Sequence, residues 1–272
     1  MANKPDYLMY EQNKTKFVIS CKNLRKDFSN KEQDIAALQD VTFSVSQGEF
    51  VCVVGPSGCG KSTLLRILAG LISITSGDIQ FGKIDTTRPH TAMVFQGQSL
   101  FPWMNVLDNV AFGLEMQGLD KQARHKLASD FLEKVGLKQF LYAFPHTLSG
   151  GMCQRVAILR AFLADPEILL MDEPFGMLDA QTRIVMQEEL LNIWHERQHT
   201  VIYITHDIEE AIFLGDRILV MSGRPGRILA DIRIDFSRPR ERNSMMGKAT
   251  DIRFHIWNML HDEVVRDLGV AL

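Results

Sequence analysis

The chain has 272 residues, 46% of them apolar and 23% charged, and a net charge of −3. That is room for one large domain or two modest ones of ordinary globular composition. A dedicated nucleic-acid binder would be basic, and no apolar run approaches the roughly 20 residues that cross a bilayer.

The opening MANKPDYLMYEQNKTK is polar, lacks the apolar core of a signal peptide, and reads as a loose tail over residues 1–16, so the chain is expected on the cytoplasmic side. FVISCKNL (17–24) and VTFSV (41–45) predict strands separated by a polar, charged loop. QGEFVCVVG (47–55) predicts a turn and then a strand buried on both faces, and GKSTLLRILAGL has helical spacing that stops at glycine. GDIQFG (77–82) and TAMVF (91–95) predict further strands. Residues 106–147 change character, becoming amphipathic and helical with no convincing strand. Beyond them come a helix at 150–164, a strand at 167–172, a helix at 180–197, a strand at 200–205, a helix at 207–214 and a strand at 216–221. Strand–helix alternation of this kind predicts a parallel sheet covered by helices. The last 50 or so residues hold a short strand (GRILADIRI), a Pro/Arg loop (SRPRER, 237–242) and a final helix.

GPSGCGKST, residues 55–63, fits G-x-x-x-x-G-K-[ST] between an apolar strand and a helix. Glycines let the backbone curl so that successive N–H groups point at phosphates, and the helix N-terminus adds its positive dipole end. The nucleotide contacts expected here are Gly55, Pro56, Ser57, Gly58, Cys59, Gly60, Lys61, Ser62 and Thr63. Lys61 would reach the β- and γ-phosphates, and the Ser62 hydroxyl would sit on Mg²⁺. Cys59, beside loop N–H groups and a helix N-terminus, would gain thiolate character when the site is empty. The second motif, ILLMDEP (168–174), closes an apolar strand with two acids at the edge where open parallel sheets bind ligands. Asp172 suits the magnesium shell, and Glu173 would orient and deprotonate the attacking water. These two motifs predict a chain that binds MgATP and hydrolyses it.

LSGGMCQR (148–155) resembles the signature sequence of ATP-binding-cassette (ABC) ATPases, and other pieces match in order. Phe28 stands where that family stacks an aromatic on adenine, Gln96 where its Q-loop glutamine ends a strand, Leu178-Asp179 at its D-loop, and His206 at its switch histidine. The resemblance implies an α/β fold: a P-loop NTPase core with a parallel sheet, an antiparallel β side-sheet and an inserted helical subdomain. It sets an ATPase domain at 17–222, with the helical insert at about 97–160, and a short C-terminal extension at 223–272. It also implies roles. Glu173, His206 and Gln96 would be catalytic, and Ser62, Gln96 and Asp172 would hold Mg²⁺. In a head-to-tail homodimer, Ser149, Gly150, Gly151 and Asp179 of one copy would meet the nucleotide held by the other's Lys61. The signature departs from the family's usual pattern at Met152-Cys153.

FPWMNVLDNVAFGLE (101–115), PFGMLDAQTR (174–183) and RPGRI (224–228) resemble more narrowly the ATPase subunits of bacterial importers for nitrate, sulfonates, taurine and similar small solutes. That implies transmembrane permease subunits and a solute-binding protein as separate chains, no nucleic acid, and a peripheral place on the cytoplasmic face of the inner membrane. The competing class is an ABC-type ATPase acting on a ribosome or DNA, but the chain has neither the paired cassettes nor the long coiled coil those usually carry. Three features take plainer readings. His195-Glu196-Arg197-Gln198-His199 fits H-E-x-x-H but ends a helix that runs straight into a strand, so a solvated helix end is expected rather than zinc. SRPRER is either a solvated loop or a contact for anionic lipid heads. Phe101 and Trp103 are either core or a docking patch for the membrane partner.

Overall fold

A computed structural model describes residues 17–30, 33–83, 87–97, 100–240, 242, 247 and 249–267; the expected tail at 1–16 lies outside them. In chain order the elements are β1 (Phe17–Asn30), β2 (Gln33–Ser46), β3 (Phe50–Val54), α1 (Lys61–Leu68), β4 (Ser76–Phe81), β5 (Thr91–Val94), α2 (Val106–Met116) and α3 (Lys121–Lys134). Then follow α4 (Gly150–Leu163), β6 (Ile168–Asp172), α5 (Ala180–Arg197), β7 (Thr200–Ile204), α6 (Ile208–Leu214), β8 (Arg217–Met221), β9 (Ile228–Arg233) and α7 (Thr250–Asp267). They form two compact units, one from residues 1–83 with 200–272 and one from 84–199.

In the first unit, β3 lies between β7 and β8 with parallel pairing to both. Every residue of these three strands is buried, the continuous apolar pattern of a sheet covered on both faces. β9 adds to β8 antiparallel. A separate antiparallel sheet has the order β2-β1-β4. Here the sequence expectation is corrected: the charged stretch after residue 24 is no loop. Both strands run through it, pairing Lys26 with Leu38, Asp27 with Ala36 and Phe28 with Ile35. Bulges between Cys21 and Leu24 and again up to Asp27 break the two-residue alternation that marks a strand in sequence.

Arg217 on β8 is only 2% exposed. Its Nη1 lies 2.8 Å from Glu49, and its Nε 2.9 Å from Asp231 at an ion-pair distance without hydrogen-bond alignment; Nη2 also donates to the Ser44 carbonyl. Burial raises the pKa of both carboxyls above the usual range, against the pull of Arg217.

The SRPRER segment is also corrected: two of its arginines hold the fold rather than face solvent. Arg240 is 8% exposed. Its Nη1 donates to the carbonyls of Ile212 (3.0 Å), Phe213 (3.0 Å) and Gly215 (2.6 Å) at the end of α6. Arg238 pairs with Asp216 at 2.7 Å. Burial, and then the neighbouring Arg238 charge, lowers the Arg240 pKa to about 10.

In the second unit β5 pairs parallel with β6, and α2 packs on α3 and α4. A Cβ at Gly113 would lie 2.5 Å from the Ala164 side chain, so glycine sets the closeness of that approach. The buried Asn109 holds the turn before α2. Its Oδ1 accepts from the Phe101 N–H (2.8 Å), and its Nδ2 donates to the carbonyls of Phe101, Met104 and Asn105 at 3.1, 2.9 and 3.0 Å. This divides the Phe-Pro-Trp stretch. Phe101 is packed against Phe112 (ring centroids 4.7 Å apart) and under Arg160 (4.9 Å), whereas Trp103 is 71% exposed.

The H-E-x-x-H stretch makes no metal site. His195 is exposed at the end of α5, the chain then turns at Gln198 (φ 49°), and His199 is buried against Phe162. Burial lowers the His199 pKa despite Asp165 nearby. Among the described residues, no three His, Cys, Asp or Glu are grouped to hold a metal ion.

Candidate functional site

The phosphate loop belongs to the first unit. The fully buried β3 delivers the chain to Gly55, and α1 begins at Lys61 with Gly60 at its N-cap. Gly60 has φ 108°, and a Cβ there would lie 2.8 Å from the Ala37 carbonyl oxygen. Glycine is therefore required both by backbone angle and by space. Lys61 is 6% exposed; its Nζ donates to the carbonyls of Gly55 (2.8 Å) and Pro56 (2.9 Å). The loop's own carbonyls thus fix the position of the ammonium. Ser62 and Thr63 are half-buried on the first turn of α1, and Ser57 and Gly58 are exposed.

The Cys59 side chain is 1% exposed, with Lys61 Nζ 4.0 Å from its sulfur, so the thiol is packed rather than presented. All four cysteines are buried thiols outside any disulfide; burial pushes the Cys21 thiol up to about 12. On β1, Phe28 is 43% exposed, with Lys26 Nζ 5.0 Å above its ring.

His206 is exposed in the turn between β7 and α6. Asp207 caps α6, accepting from the N–H groups of Glu209 (2.9 Å) and Glu210 (3.1 Å). Glu210 is buried, and its carboxylate accepts from Tyr203 Oη at 2.8 Å and from Thr205 Oγ1. Thr205 Oγ1 in turn accepts from the Asp207 N–H at 3.0 Å. The residues on either side of His206 are therefore tied to one buried acid.

In the second unit, Asp172 ends β6 at 4% exposure. Glu173 follows with φ 43°, and its Oε2 accepts from Gln96 Nε2 at 3.3 Å. The left-handed backbone turns Glu173 away from the strand direction, so two adjacent acids take different environments. Ser149 caps α4, its Oγ accepting from the Met152 N–H at 3.3 Å. Asp179 caps α5 through the N–H groups of Gln181 (3.1 Å) and Thr182 (3.0 Å). Its pKa is lowered by the Thr182 side chain and then by that cap. Both helix starts border a cavity of about 390 Å³ lined by Gly97, Ser149, Gly150, Gly151, Gln154, Met177, Asp179 and Thr182. A helix N-terminus presents unpaired N–H groups and a positive dipole end to such a space. Cys153, one of the two departures in the signature, is 2% exposed and directs its sulfur at the Pro145 carbonyl (3.5 Å), so its position is a packing one.

Strand, glycine loop, helix and strand-end acid pair have the architecture of a P-loop ATPase. The ABC transporter family profile matches residues 38–176. The chain is 45% identical over 260 residues to an uncharacterized ABC transporter ATP-binding protein of Methanocaldococcus jannaschii, covering 95% of this chain and 97% of that one. It is 48% identical over 221 residues to the nitrate import ATP-binding protein NrtD of Synechocystis (80% and 83% covered). It is 45% identical over 228 residues to the aliphatic sulfonates import ATP-binding protein SsuB of Bacillus cereus (83% and 90%). A solved dimeric ATP-binding cassette in a post-hydrolysis state with ADP and Pi overlays with a TM-score of 0.69 at 32% identity, covering 80% of this chain and all of that one. The chain belongs to the ABC transporter family, as an ATP-binding ATPase subunit.

Two groups went unread in the sequence. An acid inside the apolar run IEEAIFL is the signal for the buried bonds of Glu210. Arg224, which meets the phosphate loop, was noticed only as part of RPGRI.

Proposed function

We propose that this chain is the nucleotide-binding subunit of an ABC importer for a small solute of the nitrate, sulfonate or taurine type. The observation carrying this is that two relatives named as import ATP-binding proteins, at 48% and 45% identity, each span at least 80% of the chain. The working form is a head-to-tail homodimer of the 17–222 ATPase domain. Its helical subdomain is residues 97–160, and 223–272 form the extension. In each site Lys61 and the N–H groups of Gly55 to Thr63 hold the ATP phosphates, and Phe28 stacks on adenine. Ser62, Gln96 and Asp172 offer the hard oxygen donors that suit Mg²⁺, which keeps several waters of its own; bound there, the ion would neutralise phosphate charge. Glu173 takes the proton from the attacking water, while Gln96 and His206 hold the γ-phosphate geometry. Ser149, Gly150, Gly151 and Asp179 of the second copy close the site. The cavity at the start of α4 supports this, because it offers helix N–H groups to an anion.

Among the described residues no helix is long and apolar enough to cross a membrane. On this reading, which the two importer relatives support, the subunit works peripherally, on the cytoplasmic face of the inner membrane, through permease chains that a solute-binding protein supplies. Trp103, exposed on the Asn109-held turn, is the docking candidate. The native protein is expected in the membrane fraction, poorly removed by high salt, and Trp103→Ser is expected to release it while basal ATPase activity falls less. Recovery on ribosomes or DNA with none on membranes would overturn the importer reading and leave the ATPase standing.

A further inference from the structure

The turn that carries His206 is held from the interior of the first unit. Thr205, 2% exposed just past β7, continues the sheet, its N–H donating to the Val53 carbonyl of β3 at 3.2 Å. Its Oγ1 accepts from the Asp207 N–H at 3.0 Å. That N–H belongs to the peptide joining His206 to Asp207, so the bond closes a small ring whose rotatable bonds include both backbone torsions of His206. The Thr205 hydroxyl proton goes the other way, to the Glu210 carboxylate on the first turn of α6. Glu210 is 6% exposed, and its other oxygen accepts from Tyr203 Oη at 2.8 Å. A hydroxyl rotates to suit its partners. A fixed acceptor at Glu210 therefore decides where the Thr205 proton points and turns a lone pair toward the Asp207 N–H. The exposed His206 is thus carried on a backbone tied to buried groups.

We propose that Thr205 and Glu210 are positioning residues for His206: Glu210 aims the Thr205 hydroxyl, and Thr205 holds the His206–Asp207 peptide so that the imidazole is already in place when the nucleotide arrives. This rests on reading His206 as a residue that holds the γ-phosphate geometry. Phosphoryl transfer asks the protein mainly for positioning, so the torsions of a residue that meets the γ-phosphate bear on the rate more than on affinity. The two hydroxyl bonds to Glu210 then have different consequences. The bond from Thr205 leads to the His206 peptide. The bond from Tyr203 leads back into β7, where the tyrosine ring packs on Phe50 with centroids 5.9 Å apart. Both serve stability, since each satisfies buried polar groups, but only the first passes through the turn that bears His206.

The test uses the full-length chain with Thr205→Val, Thr205→Ser, Glu210→Gln, Tyr203→Phe and His206→Ala, measuring MgATP Kd, steady-state kcat, Tm and hydrogen exchange of the Asp207 amide. Thr205→Val keeps the shape and loses the hydroxyl. It is expected to lower kcat about tenfold, short of the roughly 100-fold that an ångström of misplacement can cost, with Kd within about threefold. Its Asp207 amide should exchange at least about tenfold faster. Thr205→Ser restores the hydroxyl and should bring kcat and exchange back to within about threefold of the parent. Glu210→Gln offers one acceptor oxygen where the carboxylate offers two, and should lower kcat in the same direction by less. Tyr203→Phe removes the other hydroxyl from the same carboxylate; Tm should fall while kcat stays within about twofold. Parent-like kcat in Thr205→Val or in Glu210→Gln, no recovery with serine, or equal falls in Thr205→Val and Tyr203→Phe would each overturn the proposal. If His206→Ala loses turnover while Thr205→Val keeps it, only this inference fails, whereas parent-like turnover in His206→Ala defeats the reading of His206 itself.

Discussion

Glu173→Gln keeps the shape of the side chain and removes its capacity to take a proton. The left-handed backbone at φ 43° is unaffected, and glutamine retains an oxygen for the long 3.3 Å contact from Gln96. That contact is weak, so its alteration adds little to the effect. What is lost is the base, worth about 10²–10⁴ in rate, or about 2.7–5.5 kcal/mol on the barrier. ATP affinity rests on Lys61 and the loop N–H groups, which the substitution leaves intact. The expected result is a fall in kcat of at least about 100-fold with Kd for MgATP within about threefold of the parent. Phosphate release at saturating MgATP gives the first value and labelled-nucleotide binding the second. Light scattering should then find the variant held as a dimer in ATP, since only hydrolysis dissolves it. Turnover within about tenfold of the parent would refute the assignment and place the base elsewhere.

Lys61→Ala should weaken ATP binding and abolish turnover together, because the ammonium is a point charge on the phosphates; tight binding with hydrolysis in that variant would refute the loop reading. Cys59 is 1% exposed, so maleimide should inactivate only slowly, MgATP should slow it further, and Cys59→Ser should resist; equal inactivation of Cys59→Ser would move the reactive thiol elsewhere. Arg217→Met should cost about 2–3 kcal/mol, below the range for a fully buried pair because Glu49 and Asp231 keep 14% and 29% side-chain exposure, a fall of about 5–10 °C in Tm for a chain of this size. Because burial raises the folded-state pKa of Glu49 and Asp231, their ionisation opposes folding as pH rises through those values, and more so without Arg217. The deficit should therefore be larger at about pH 8 than at about pH 5; an equal deficit would show that packing, not charge, is lost.

The phosphate loop and the acids closing β6 were legible because each imposes a backbone requirement that few residue types meet, whereas Ser149 and Asp179 were marked by family resemblance and their capping roles belong to the structure. The β1–β2 hairpin was not, since its bulges scramble the alternation and its solvated face carries the charges a loop would carry. Arg240 was not, because composition places arginine outside, while the carbonyls that hold it belong to the distant end of α6. Nor was the division between Phe101 and Trp103, which depends on how the turn lies over Phe112.

Asn109 carries a consequence for recognition. One buried amide holds both backbone groups of Phe101 and the carbonyls of Met104 and Asn105, so the turn bearing Trp103 is ordered before any partner arrives. Fixing a backbone residue costs about 1–2 kcal/mol in entropy. For this turn that cost is met when the chain folds, so any partner that docks on Trp103, as proposed, would meet an indole already standing on a rigid base.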